Sequence, residues 1–282
     1  MMKISFNLIL LFGLNLNQWA QAEVIQYTPV ESNVAYTKVT SLAFKDADEH
    51  ISYGKDALQY ASLWLPAEGN KKQNNLVVFI HGGCWLNAYD IKHSYALATA
   101  LAQEGYAVWS LEYRRAGDEG GGWPGSFDDI LSGINSVILH TNPAYSLGNT
   151  VVVGHSAGGH LALLAGSELP ELKAVVGLAA ITDIVAYSEG QNSCQQATPQ
   201  FMGGSAIEKA DAYKQANPVD RKMHVQTILL QGEADTIVPS QQASLLEVPI
   251  ASNSLAGHFD WIHPGSAAYQ QLLIQLNSIF AQ

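Results

Sequence analysis

TVVVGHSAGGHLALLA, residues 150–165, predicts a strand, a sharp turn and a helix in direct succession. The residues at 150–153 form a continuous apolar run, which is typical of a strand that is buried on both faces. Gly154 and Gly158 flank Ser156, and only glycine fits beside a turn this tight. The turn lifts the serine hydroxyl to the carboxyl edge of the sheet, where the helix start directs N–H groups at developing negative charge. Ser156 is therefore a candidate nucleophile.

Strand-like and helix-like segments alternate on both sides of this turn. The expected strands cover residues 58–65, 76–80, 107–111, 150–153, 174–178 and 227–231. Apolar residues recur at helical spacing over residues 93–104, 127–138 and 272–280. This alternation predicts an α/β fold, with a mostly parallel central sheet and helices on both of its faces.

One segment, at about residues 184–213, breaks the alternation. It is polar, it contains Gly190, Gly203 and Gly204, and its apolar residues show no clean period. Loops of this length inside a compact domain are uncommon and are usually functional. We therefore interpret the segment as a lid-like insertion over the active site.

A second glycine motif, HGGCW at residues 81–85, directly follows the strand at 76–80. Acyl transfer creates an oxyanion, which preorganised N–H donors stabilise. Two adjacent glycines allow the backbone to approach a substrate and to present such donors. We expect Gly83, Cys84 and Ala157 to form an oxyanion hole, and His81 to orient the glycine loop through a hydrogen bond.

A serine nucleophile needs a base that takes its proton and a carboxylate that orients the base. In a fold with a nucleophile turn of this type, the chain order is serine, acid, histidine. Asp235 lies in the loop after the last predicted strand and is the candidate acid, with Glu233 as the alternative. The base should lie in a loop before the last helix, where His258 and His263 are both candidates. We favour His258, because it follows Gly257 and lies further from the start of this helix. His263 directly precedes a proline that begins this helix, which favours a structural role.

The composition excludes several classes of protein. Hydrophobic residues make up 48% of the 282 residues and charged residues 14%. That is enough for one large core, and it excludes a disordered or coiled-coil chain. The formal net charge is −11 without any cluster of Lys and Arg, so we expect no nucleic-acid partner. The oligomeric state stays open.

The first residues have the pattern of an export signal. Lys3 precedes an apolar run at 4–16, and Ala20-Gln21-Ala22 has the form of a cleavage site. We expect a signal peptide over residues 1–22, a single hydrolase domain over residues 23–282, and a periplasmic or secreted location. The apolar run is too short for a stable membrane anchor, so we expect none after cleavage.

The chain has two cysteines, Cys84 and Cys194. They lack the second pair of ligands that a zinc site requires, so we expect no metal, and no motif implies an organic cofactor. In an exported protein, two cysteines are a candidate disulfide. A bond between them would tie the lid-like insertion to the oxyanion loop and would support both stability and activity.

These motifs resemble those of the α/β-hydrolase superfamily, and within it the esterase/lipase branch related to hormone-sensitive lipase and kynurenine formamidase. HGGCW is similar to the HGGxW of the formamidases, in which the second glycine and its neighbour, here Gly83 and Cys84, form the oxyanion hole. The resemblance covers about residues 53–280 and implies the α/β-hydrolase fold and a triad of Ser156, Asp235 and His258. Further similar stretches are EYRRAGDEGGGWPGSFDD, GHSAGGHLAL, GEADTIVP and GHFDWIHP.

The leading interpretation is a serine carboxylesterase that cleaves small or medium acyl or aryl esters through an acyl-enzyme at Ser156. An amidase, an arylformamidase or a peptidase would use the same triad, and a non-catalytic binding protein of this fold is a remote alternative. The expected partner is a small-molecule ester or amide. Trp85, Trp123 and Trp261 adjoin the motif loops, and we expect them at the pocket mouth, as an aromatic rim that favours short substrates.

Overall fold

The computed structural model describes residues 24–70, 72, 74–140 and 145–282. The predicted signal peptide lies outside the described residues, and export stays a prediction. In the part of the chain that is described, no helix has the length and apolar character needed to cross a membrane.

An eight-stranded sheet forms the centre of the molecule, in the order β1-β2-β4-β3-β5-β6-β7-β8. Two strand pairs, β1 with β2 and β2 with β4, are antiparallel, and the other five are parallel. The predicted mostly parallel sheet is confirmed. The strands are β1 (Glu49–Ser52), β2 (Tyr60–Trp64), β3 (Leu76–Ile80), β4 (Ala107–Leu111), β5 (Thr150–His155), β6 (Ala174–Leu178), β7 (Thr227–Gly232) and β8 (Ile250–Asn253).

Helices cover both faces of the sheet, as the alternation predicts. Each face of the sheet packs against its own hydrophobic core. In β3, Val78 and Ile80 belong to one core, and Val77 and Phe79 belong to the other. Strands β3 to β6 are buried at every position, which explains their continuous apolar sequence. The helices are α1 (Tyr36–Thr40), α2 (Tyr95–Gln103), α3 (Gly125–His140), α4 (Ala157–Glu168), α5 (Ile184–Ser188), α6 (Ser193–Met202), α7 (Ala210–Gln215) and α8 (Ala267–Phe280).

The segment at 184–213 is not an irregular loop, because it contains α5, α6 and most of α7. Helix α6 begins with a capping box, in which the Asn192 side chain accepts from the N–H of Gln195 and the Gln195 side chain accepts from the N–H of Asn192. This reciprocal cap stabilises the start of α6. The buried side chains of α6 recur at helical spacing, at Cys194, Ala197, Thr198, Phe201 and Met202, so the expectation of a segment without a period is wrong for this helix. The N-terminal turn of α6 reaches the pocket described below, and a lid function of the segment stays a prediction.

Candidate active site

The loops that carry the predicted site residues all follow the carboxyl ends of parallel strands. The HGGCW loop follows β3, Ser156 follows β5, Asp235 follows β7, and His258 lies in the loop after β8. Carboxyl ends of parallel strands meet at one edge of the sheet, where α/β proteins bind their ligands. The topology therefore brings residues that are distant in sequence to one place.

Ser156 lies in a strained turn between β5 and α4. Its φ is 57° and its ψ is −120°, a conformation that non-glycine residues adopt only when the surrounding structure imposes it. A Cβ on Gly154 would lie 2.1 Å from the Gly158 carbonyl oxygen, and one on Gly158 would lie 2.2 Å from the Ile80 carbonyl oxygen. Both glycines of the GxSxG motif are thus required by close backbone approach.

His258 is hydrogen-bonded to Asp235 rather than to Glu233. Its Nδ1 lies 2.8 Å from Asp235 Oδ2, while Glu233 is exposed. The other oxygen, Asp235 Oδ1, accepts from the N–H of Ile237 at 2.8 Å and of Val238 at 2.9 Å. These bonds fix the carboxylate, which can only accept, so the proton is on Nδ1 of His258 and Nε2 is free to act as a base.

The other candidate base, His263, is buried and does not line the pocket that Ser156 and His258 share. Its Nδ1 accepts from the N–H of Gly265 at 3.1 Å, within the turn that precedes α8. Burial lowers its pKa from the ordinary value for histidine. The structure therefore brings Ser156, Asp235 and His258 together and leaves His263 in a structural position.

The HGGCW loop passes directly over Ser156. Gly83, Cys84 and Trp85 have φ values of 114°, 54° and 57°, and a Cβ on Gly82 would lie 3.1 Å from Ser156 Cβ. Within the described residues, the N–H groups of Gly83, Cys84 and Ala157 take no part in backbone hydrogen bonds. These three N–H groups thus have no backbone acceptor among the described residues, and their role as oxyanion donors stays a prediction.

A buried pair behind this loop holds it in place. His81 Nδ1 lies 2.8 Å from the Gly82 carbonyl oxygen, and His81 Nε2 lies 2.9 Å from Glu112 Oε1. The predicted hydrogen bond from His81 to the glycine loop is present. Burial alone would raise the pKa of Glu112, but His81, Arg115 and the N–H of Tyr113 hold it below the ordinary value for glutamate. Glu112 was not singled out from the sequence.

The pocket above Ser156 has a volume of about 170 Å³. One wall is aromatic: the Tyr36 ring centroid lies 5.2 Å from that of Phe259 and 5.9 Å from that of Tyr89. His93 also lines it, and burial, followed by the proximity of His81, lowers the pKa of His93 to about 3, so this side chain is neutral. The lining residues are Tyr36, Gly83, Cys84, Tyr89, His93, His155, Ser156, Asn192, Ser193, Cys194, Ile237, His258 and Phe259.

The expectation that three tryptophans form the pocket mouth is wrong. Trp85 and Trp261 are fully buried in the two cores, and none of the three lines the pocket. Trp85 follows a residue with positive φ, and its ring stacks on Phe201 at 4.9 Å. Trp123 stacks on Phe127 at 5.5 Å.

Cys84 and Cys194 line the same side of the pocket. Their sulfur atoms lie at bonding distance and their Cα atoms are 5.0 Å apart, within the range that disulfides require. Cys194 is the second residue of α6, so a bond between the two would attach α6 to the oxyanion loop.

We expect Cys84 and Cys194 to be oxidised in protein that is isolated without reductant. A link that closes so long a loop contributes about 4 to 5 kcal/mol of unfolding free energy in the chain-entropy model, and its reduction should also loosen the Cys84 N–H donor. Intact mass after alkylation without reductant is the measurement, and an unalkylated mass two hydrogens light is expected. Two alkylated thiols would contradict the prediction.

Comparison with known proteins gives one family and several relatives. The BD-FAE family model matches residues 62–249. Esterase LipC of Mycobacterium tuberculosis is 26% identical over 215 residues, which cover 68% of this chain and 52% of LipC. This chain therefore spans about half the length of that relative. A kynurenine formamidase of Meyerozyma guilliermondii is 25% identical over 209 residues, which cover 70% of this chain and 75% of the formamidase.

Solved structures of esterases have the same fold. Esterase B from Lactobacillus rhamnosis superimposes with a TM-score of 0.70 at 19% identity, over 86% of this chain and 89% of the esterase. An esterase from Pyrobaculum calidifontis superimposes with a TM-score of 0.68 at 16% identity, over 87% of this chain and 88% of that esterase. The fold is the α/β-hydrolase fold that the motifs implied.

Proposed function

This chain belongs to the BD-FAE family, and we propose that it is a serine carboxylesterase whose nucleophile is Ser156. The observation that carries the proposal is the hydrogen bond of 2.8 Å between His258 Nδ1 and Asp235 Oδ2, on a histidine that shares one pocket with Ser156. A base oriented by a buried carboxylate, beside a serine on a strained turn, is the arrangement that activates a hydroxyl.

The reaction proceeds through an acyl-enzyme. His258 Nε2 takes the proton of Ser156 Oγ as this oxygen attacks the ester carbonyl carbon, and Asp235 stabilises the imidazolium that forms. The N–H groups of Gly83, Cys84 and Ala157 stabilise the oxyanion. His258 then gives its proton to the leaving alcohol, and a water molecule, activated by the same histidine, releases the acid and restores Ser156.

The size of the pocket favours short acyl groups. Its volume of about 170 Å³ and its wall of Tyr36, Tyr89 and Phe259 leave little room for a long alkyl chain. The neutral His93 and His155 offer no positive charge for an anionic group. We therefore propose esters with small or medium acyl or aryl groups as the substrate class.

We expect p-nitrophenyl acetate and butyrate to be cleaved with the highest kcat/KM in a series of graded acyl length. The value should fall by about tenfold or more for the dodecanoate, because apolar pockets discriminate by each added methylene that does not fit. A kcat/KM that rises steadily to the longest chain would contradict the proposed substrate class.

The same screen separates esterase from amidase chemistry. The similarity to a kynurenine formamidase is the specific observation for an arylformamidase, which would use the same three residues. N-formylkynurenine and aminoacyl anilides therefore belong beside the esters. Esterase function predicts that the best ester exceeds both in kcat/KM, and the opposite ranking would favour the amidase or peptidase alternative.

A further inference from the structure

His155, the variable residue that precedes Ser156 in the GxSxG motif, is fully enclosed in the site. The two-residue period of β5 places it on the same face as Val151 and Val153, beneath the loop that carries His258. Its ring centroid lies 4.6 Å from that of His258 and 6.2 Å from that of Phe259. The oxyanion loop covers its other side, since a Cβ on Gly82 would lie 3.1 Å from His155 Nδ1.

His155 makes one hydrogen bond through its ring. The Nε2 atom lies 2.9 Å from the backbone carbonyl oxygen of His258. A carbonyl oxygen only accepts, so Nε2 carries the proton and donates. Within the part of the chain that is described, Nδ1 has no hydrogen-bond partner. Burial, followed by the proximity of His258, holds the pKa of His155 well below its ordinary value, so the ring stays neutral when His258 is protonated during turnover.

We propose that His155 is a positioning residue that holds His258 in register with Ser156. This inference rests on the proposed function. Because His155 and Ser156 are adjacent in the chain, the hydrogen bond fixes the backbone of the base relative to the backbone of the nucleophile. Asp235 orients the imidazole ring, and His155 locates the loop from which that ring extends.

The base loop makes further hydrogen bonds that do not involve His155, so we expect His155 to contribute to alignment more than to folding. Asp260 Oδ2 accepts from the N–H of Gly257 at 3.0 Å and from that of Val34 at 2.9 Å. The N–H of Ala234 donates to the Ala256 carbonyl oxygen at 3.1 Å. These bonds keep the loop folded without His155, but none of them comes from the strand that carries the nucleophile.

Three substitutions of His155 distinguish the effect of its hydrogen-bond donor from the effect of its side-chain volume. In His155→Gln the amide nitrogen reaches the former position of Nε2 and restores the donor. In His155→Asn the amide nitrogen reaches only the former position of Nδ1, where no acceptor lies, and His155→Leu has no donor. Misplacement of a catalytic group by about 1 Å costs about 100-fold in rate. We therefore expect kcat to fall about 100-fold in the Asn and Leu variants and less than about fivefold in the Gln variant, with KM within about threefold throughout.

The control is His224, another buried histidine, which lies just before the amino end of β7 and therefore at the opposite edge of the sheet. Its substitution by Asn or Gln should change the midpoint of thermal unfolding without a change in kcat. The inference is overturned if His155→Gln and His155→Asn lose kcat equally, or if kcat follows the unfolding midpoint across both sites. The comparison of kcat between His155→Gln and His155→Asn tests the inference even if His155→Leu does not fold.

Failure of the inference is distinguishable from failure of the proposed function. If the unsubstituted enzyme is not an esterase that depends on Ser156, the proposed function is wrong and the inference falls with it. If the enzyme depends on Ser156 while His155→Asn keeps full kcat, only the role of His155 is wrong.

Discussion

Ser156→Ala is expected to lower kcat on p-nitrophenyl butyrate by about 10⁴- to 10⁶-fold, as the loss of a nucleophile does in serine hydrolases. What remains is the rate that substrate binding and the oxyanion donors supply without a nucleophile. Initial-rate kinetics at saturating substrate are the measurement. The fold should persist, because the substitution removes one oxygen atom and keeps the Cβ, which is the source of the steric strain at a φ of 57°.

Ser167→Ala is the matched control for this variant. Ser167 lies near the carboxyl end of α4, and its Oγ donates to the Leu164 carbonyl oxygen within the helix. We expect kcat to be unchanged there. Retention of more than about a tenth of the activity in Ser156→Ala would remove Ser156 from its proposed role.

His258→Ala should reduce kcat to within about tenfold of the Ser156→Ala value, because members of a triad act as one unit. Without the imidazole, the serine keeps its proton at neutral pH and the leaving alcohol receives none. The variant that carries both Ser156→Ala and His258→Ala should have a kcat within about tenfold of that of either single variant. A double variant whose losses multiply would show that the two residues act independently.

His263→Ala is the control for the base, since this histidine is equally buried but makes its hydrogen bond within the turn before α8. We expect most of the activity to remain and the midpoint of thermal unfolding to fall. If His263→Ala lost activity and His258→Ala kept it, the assignment of the base would be reversed.

The sequence predicts the central sheet and the edge where the site lies because both are encoded locally. Strand β3 is a run of five apolar residues that is followed by His81 and a glycine pair, and β5 leads into the GxSxG turn. The chain order then predicts where the acid and the base follow. Ser156 and His258 line one pocket, and Asp235 is hydrogen-bonded to His258, while their catalytic roles stay predictions.

The pocket wall could not be predicted, because tertiary contacts create it. Tyr36 precedes every strand of the sheet, and it reaches the pocket because Asp260 accepts hydrogen bonds from the N–H groups of Asn33 and Val34. No local pattern links these residues. Tyr89 and Phe259 do follow the glycine loop and His258 closely in sequence, and that proximity is the one local signal for the aromatic wall.

The tryptophans show why a residue beside a motif need not face the site. Cys84 and Trp85 both have positive φ, which turns the chain so that Cys84 lines the pocket while Trp85 enters the core. There Trp85 Nε1 donates to His160 Nδ1 at 3.3 Å. The opposite directions of these two neighbouring side chains depend on backbone angles that the sequence alone does not specify.

The most direct test of the central claim is covalent labelling with a fluorophosphonate, which reacts with an activated serine. Peptide mass spectrometry of the labelled protein should show one adduct, on the peptide that contains Ser156. Labelling should be absent in Ser156→Ala and strongly slowed in His258→Ala, since the probe requires the same deprotonated oxygen as the ester. An adduct on another residue, or none on folded protein, would contradict the assignment of Ser156 as the nucleophile.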